Sequence, residues 1–339
     1  MHAGRHYPLK HVIQWTRRET VVFAVIATVP TVLYALAGWT WLTVPWLPIA
    51  LIGTAVAFMT GFKNNASYAR TWEARQIWGS IVNTSRTFGL MACDFLLQEP
   101  GHSGPALDLR AVRDGLIARH IAWLTALRFQ LREPRAWENI GLRHNVEYRR
   151  YYDIPERDND YLGIELGKLL TAGDCGAILG AQNPAAQLLA QQSHAIRALR
   201  ERGLLSDYRH VALTRALAEL YEHQGKCERI KNFPYPRQFA TLNLLFVWLF
   251  IALVPLGLLQ EFQKLGDPFV WFTIPAGVVV AWVFHTMDKI GESSENPFEG
   301  GPNDVPITTI ARAIEIDLRE MLGQQDIPPP LRPRGEILM

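Results

Sequence analysis

Four blocks of this chain are almost wholly apolar: Val21 to Trp39, Val44 to Phe62, Phe239 to Leu259 and Pro268 to Met287. None of them holds an Asp, Glu, Lys or Arg. A helix crossing about 30 Å of hydrocarbon needs roughly 20 predominantly apolar residues, and a charge at its centre is costly. A buried helix in a soluble core explains one such block but not four, so the pattern predicts four membrane spans. Pro45 and Pro48 stand near the start of the second block, where proline is tolerated. Asn243 is the strongly polar residue of the third, and the fourth carries Pro275, Gly277 and His285.

Elsewhere apolar residues recur at three- and four-residue spacing, the mark of half-buried helices. The segments "GSIVNTSRTFGLMACDFLLQ", "DLRAVRDGLIARHIAWLTALRFQLR" and "YRHVALTRALAELYEHQGKCERI" show it. "NPAAQLLAQQSHAIRALRERG" adds a start signal, Asn183 followed by Pro184. Strand-like alternation is scarce. After the fourth block, "GESSENPFEGGPNDVP" reads as an acidic turn-rich loop and "ITTIARAIEIDLREML" as an amphipathic helix before a Pro-rich tail.

Cations flanking the blocks set their orientation. Arg17 and Arg18 precede the first block, and Lys63, Arg70 and Arg75 follow the second. The connector "AGWTWLTVP" has no charge, whereas Lys226, Arg229, Lys231 and Arg237 precede the third block and Lys289 follows the fourth. Both termini are therefore expected in the cytosol. The expected organisation is a cytosolic N-terminal segment (1–20), spans one and two (21–62), a helical cytosolic domain (63–238), spans three and four (239–287), and a cytosolic loop, helix and tail (288–339). The first twenty residues read as a retained segment, not a cleaved signal peptide.

A net charge of +2 argues against a nucleic-acid binder, which would concentrate a basic face. Three cysteines, widely spaced, suggest neither a disulfide framework nor a zinc site. Phosphate loops, nucleophile elbows, paired zinc ligands and dinucleotide fingerprints are missing from the sequence. "GDCG" at residues 173–176 offers a cysteine without a recognisable histidine partner. An enzyme is not expected.

The densest polar and aromatic stretch, "GFKNNASYARTWEARQIWG", directly follows the second block. It resembles the signature of the bestrophin family in its bacterial branch. "KCERIKNFPYPRQFAT" and "ENPFEGGPNDVPITTIARAIEIDLREM" are similar to two further family segments, in the same order and topology. The resemblance spans about residues 10 to 325.

It implies an all-α membrane protein forming a homopentamer around one axial pore, with four transmembrane helices per subunit and a helical cytosolic domain. It implies a bacterial inner-membrane location, with the lipid bilayer and small monovalent ions as partners and no cofactor or metal. In the family, three hydrophobic residues at i, i+4 and i+8 of the second span form a narrow neck. Here they fall on Thr54, Phe58 and Phe62, and Thr54 departs from the usual aliphatic residue. Residues four apart share one helix face, and stacked apolar rings gate a pore by dewetting. A threonine ring is expected to be wetter. Read without the family, Phe58 and Phe62 are more simply packing residues against the first block.

A second, cytosolic constriction maps onto Leu220, although a core leucine would look the same. Asn64 and Asn65 are candidate polar groups of the vestibule. They offer both donors and acceptors, so they do not set the sign of the permeant ion; the bacterial branch leans towards cations, with anions open. Animal members bind calcium with an acidic run after Asn-Pro-Phe. Here Asn296-Pro297-Phe298 is followed by "EGGPNDVP", leaving Glu299 and Asp304. Calcium takes roughly six to eight oxygen ligands, so calcium gating of that type is not expected.

Arg70 and Glu73 read as structural, each able to pair across a subunit boundary, and Trp72 and Trp78 as interface or packing groups. His120 and His285 read as packing residues, with His285 also a candidate pH-sensitive group. The rival to a channel is a membrane-anchored scaffold whose helical domain binds a partner.

Overall fold

A computed structural model describes residues 1–96, 108–157 and 159–339, with the side chains of residues 144, 148, 150, 159 and 160 excepted. It is all-helical: α1 (Leu9–Ala37), α2 (Trp46–Asp94), α3 (Leu109–Arg132), α4 (Arg143–Tyr148), α5 (Asn159–Gly167), α6 (Ala172–Leu179), α7 (Pro184–Glu201), α8 (Asp207–Asn232), α9 (Arg237–Gln263), α10 (Thr273–Ser293) and α11 (Ile307–Met321). The long apolar helices α1, α2, α9 and α10 each contain a stretch long and apolar enough to cross a membrane.

Helix α1 ends at Gly38, whose φ of 68° gives a left-handed cap, with an amide behind it closing onto the Leu33 carbonyl. Helix α2 differs from its expected form. The second span and the amphipathic segment beginning at Gly79 are one unbroken helix of 49 residues. No proline follows Pro48 within it, and its glycines do not suffice to break a helix buried along one side. At 1.5 Å per residue it is about 74 Å long, far more than a bilayer needs. The last two residues of the expected amphipathic helix, 97 and 98, lie outside the described residues.

Two hydrophobic cores share this helix. One joins α1, α2, α9 and α10 through Phe23, Ile49, Val56, Val247, Phe250 and Ala281. The other collects Trp78, Ile81 and Phe88 of α2 with α3, α7, α8 and α11. Small residues bring α2 and α9 together: a Cβ on Gly53 would stand 2.6 Å from the Phe250 ring, and one on Gly257 2.7 Å from Ile49. Close backbone approach of this kind is how membrane helices associate. Helix α8 runs antiparallel to α2, with Arg229 paired to Glu73 near one end and Arg209 donating to the Phe95 carbonyl at the other. Residues 1–4 lie along residues 334–339, with the Ala3 amide on Glu336 and the Leu338 amide on Met1.

Candidate pore-lining face

One stripe of α2 is left uncovered along nearly its whole length. In its first half it runs through the exposed positions Leu47, Leu51, Thr54, Phe58 and Phe62. The same line continues through Asn65, Ala69, Trp72, Gln76, Gly79 and Asn83. The spacing of three and four keeps all of them on one face, and none carries a formal charge. Phe58 and Phe62 are 66% and 68% exposed, and their ring centroids are 6.4 Å apart. They border a shallow hollow of about 400 Å³ with Ala57, Gly61 and Asn65. They are thus not packed against α1, the alternative that the sequence leaves open. The Thr54 hydroxyl donates to the Ala50 carbonyl of its own helix at 2.9 Å, so it offers the stripe lone pairs and a methyl, not a donor.

The two asparagines part company. Asn65 is on the stripe, whereas Asn64, turned about 100° further round the helix, donates to the Met287 carbonyl of α10 at 3.1 Å. Asn64 is half-buried against α10, off the line of the stripe. The reading of Leu220 is corrected. It is fully buried, in a stripe with Leu213, Leu217, Gln224 and Cys227 that faces the core, so it cannot constrict a passage between subunits. Two aromatics of α8 are exposed, Tyr221 and, at 91%, Tyr208, which lies at the end of α2 remote from Phe62. Heptad-like spacing in "YRHVALTRALAELYEHQGKCERI" marked the helix but not which face was covered.

Behind the stripe, α2 is anchored by polar groups. The Arg70 guanidinium donates to the carbonyls of Glu295 (3.0 Å), Phe233 (2.8 Å) and Ile230 (3.1 Å). These include the last turn of α8, where carbonyls lack helical partners and the dipole favours a cation. Arg70 therefore acts within the chain, while Glu73 pairs with Arg229 of α8. Trp78 is in the core, and Trp72 is exposed and stacked on Tyr68. Lys63, which in the sequence reads as a flanking cation, is buried and bound to Asp288 of α10 at 2.7 Å. Asn243 of α9 donates to the same carboxylate oxygen at 2.7 Å and accepts from Thr60 at 3.3 Å. Asn243 was visible in the sequence as the odd polar residue of its block; its partners were not.

The motif residues "CERI", 227–230, are accounted for one by one. Cys227 is in the core and burial pushes its thiol up. Glu228 accepts from the amides of Gln130, Asn183 and Gln224 at 2.7 to 2.9 Å. Arg229 takes Glu73, and Ile230 supplies core packing and a carbonyl for Arg70. Cys175 is buried too. His120 is stacked on Phe88 and close to Trp123, and burial pushes it down to about 3. It is a neutral packing group, and neither of its ring nitrogens has a hydrogen-bond partner. His285 is enclosed by Phe23 and Trp248.

The acidic loop after α10 is buried. Asp304 accepts from the amides of Phe298, Gly300 and Val305 at 2.6 to 2.8 Å and from Arg132 at 2.6 Å. Arg132 is fully buried, so the strongest local cation is already a side chain of the protein. Glu299 accepts from the Asn139 amide at 3.1 Å, and burial pushes it up to about 8. Both side chains are thus engaged by N–H donors of the protein.

Four long apolar helices and a further helical layer make this a multi-pass membrane protein. Residues 10–320 match the family model described as Bacterial/Fungal Bestrophin protein, and the chain belongs to that family. The voltage-dependent anion channel-forming protein YneE of Salmonella typhi is 29% identical over 281 residues, 83% of this chain and 78% of its own length. Its namesake in Escherichia coli is 29% identical over 287 residues, covering 84% and 80%. The crystal structure of a bacterial bestrophin homologue from Klebsiella pneumoniae matches with a TM-score of 0.72 and 25% identity, over 93% of this chain and 99% of that one.

Proposed function

We propose that the protein is one subunit of a homopentameric bestrophin-type channel in the bacterial inner membrane, conducting small monovalent ions passively. The observation that carries this reading is the uncharged stripe of α2, exposed from the membrane bundle to the second helical core. Thr54, Phe58 and Phe62 would form the neck, with Asn65 beginning the vestibule wall. The positive flanks of the apolar blocks support cytosolic termini, with 21–62 and 239–287 as the membrane part and 1–20, 63–238 and 288–339 inside. Tyr208, on α8 beside the far end of α2, takes the place of Leu220 as candidate for the cytosolic constriction.

The relatives named as anion channel-forming proteins support anions, against the cation leaning implied by the resemblance. Amide groups on the stripe suit either sign, since each offers a donor and an acceptor. We adopt anions, and the reversal potential in asymmetric salt decides between them.

Reconstitution of wild type, Phe58→Ala and Phe62→Ala into planar bilayers tests the neck. Shrinking either ring is expected to raise conductance or open probability, because a wider, less aromatic ring dewets less readily. Currents identical to wild type in both variants would remove these residues from the neck.

A further inference from the structure

Directly behind the neck, three helices converge on one buried carboxylate. Asp288 of α10 accepts from Lys63 of α2 and from Asn243 of α9, each at 2.7 Å. Thr60 of α2 closes the set by donating to Asn243 at 3.3 Å. The Lys63 and Asp288 side chains are 5% and 3% exposed. Thr60 and Lys63 lie on the back of α2, within one turn of Phe62 on its front. Ionisable groups buried among membrane helices are costly and mark function by default. A hydrophobic set would hold these helices at least as well, so stability alone does not explain the choice.

We propose that the Lys63–Asp288 pair, with Asn243 and Thr60, is a positioning element that fixes the rotation and height of Phe62 in the neck. The inference rests on the reading of Phe62 as a neck residue. Lys63 and Phe62 are adjacent on a rigid helix, so they move together. When the carboxylate is present, the ammonium is held at the back and the ring is held at the front. When the carboxylate alone is removed, an unpaired buried ammonium is left, and α2 relieves it by turning or sliding Lys63 towards water. That motion carries Phe62 off its position. When both groups are made apolar, the helices still pack but no directional bond fixes the rotation of α2. Lys289, next to Asp288 on α10, is bound instead to Glu19 at 2.7 Å and to the Trp15 carbonyl at 2.8 Å. This neighbouring pair joins α10 to α1 and does not touch α2, which makes it an internal control.

The test compares wild type, Asp288→Asn, the apolar double variant Lys63→Met with Asp288→Leu, the reversed pair Lys63→Asp with Asp288→Lys, and Glu19→Gln. Single-channel conductance and open probability are read in planar bilayers. Independently of conduction, the rate at which a charged methanethiosulfonate modifies Phe62→Cys is read in a Cys93→Ser background. Asp288→Asn and the apolar double variant are expected to change open probability or the modification rate roughly fivefold or more, the scale of ordinary coupling between sites. The reversed pair is expected to return both towards wild type, and Glu19→Gln to leave both unchanged.

The proposal is overturned if wild type conducts while Asp288→Asn and the apolar pair match it in current and modification rate. It is also overturned if Glu19→Gln has the same effect, or if none of the Lys63 and Asp288 variants assembles, since their role would then be general stability. A wild type that assembles but passes no current overturns the channel reading instead, and the modification rates still report whether the pair positions Phe62.

Discussion

Glu299 shows how far a buried group departs from its ordinary behaviour. Burial pushes its carboxyl up to about 8, so in the folded chain it keeps its proton at neutral pH. In the unfolded chain it ionises near the usual carboxylate value of about 4.3. Its contribution is thus fully present below that value and falls as pH rises towards about 8, because the unfolded state there binds fewer protons. Glu299→Gln keeps an acceptor for the Asn139 amide and carries no ionisable group. The variant is expected to melt roughly 3 °C or more above wild type at pH 8, with little difference at pH 5. Thermal unfolding in detergent at the two pH values measures this; equal shifts at both would show that Glu299 is not the titrating group. The sequence exposed this residue only as a leftover of an acidic run. Its burial comes from folding the whole loop under Arg132, a contact between positions 172 residues apart for Asp304.

Among the elements, α2 was both the most and the least legible. Its apolar first half, the turn of character at Gly61, and the spacing of Thr54, Phe58 and Phe62 were readable from residue types alone. Its continuity to Asp94 was not, because the switch from apolar to polar residues looks like an end although no helix-breaking residue stands there. The side taken by Asn64, Arg70 and Leu220 was equally hidden. Periodicity names a covered face only when one knows what covers it, and α8, α10 and the 295-loop come from far along the chain. Small residues were silent for the same reason. Gly53→Ala places a methyl 2.6 Å from the buried Phe250 ring, which is itself packed 4.5 Å from Phe284. It should cost about 1 to 3 kcal/mol through overpacking. Gly79→Ala meets nothing within 4 Å on the exposed stripe and should gain about 1 kcal/mol from helix propensity. Opposite shifts in detergent melting temperature would establish that α2 and α9 meet through Gly53; parallel shifts would deny it.

For the whole molecule, the exposed stripe of α2 joins two surface characters in one line. Its upper half is apolar enough to face lipid, but the same line continues through Asn65, Gln76 and Asn83. Amides gain nothing from hydrocarbon and prefer water or partners. Phe58 and Phe62, conversely, gain nothing from bulk water. A face with both characters in register suits a narrow passage that widens into a wet chamber, and closed rotational symmetry supplies such a passage by bringing identical copies round an axis. The number of copies proposed, five, follows the family resemblance. Light scattering coupled to gel filtration of the detergent-solubilised protein is expected to give a protein mass five times that of the chain. A monomer would leave the α2 stripe with nothing to enclose, and the membrane-anchored scaffold would then be the better account. A ring of another number would keep the passage but change its width, and the Phe62 ring could then be too open to dewet. Mass and single-channel conductance measured on the same preparation therefore test the assembly and the neck together.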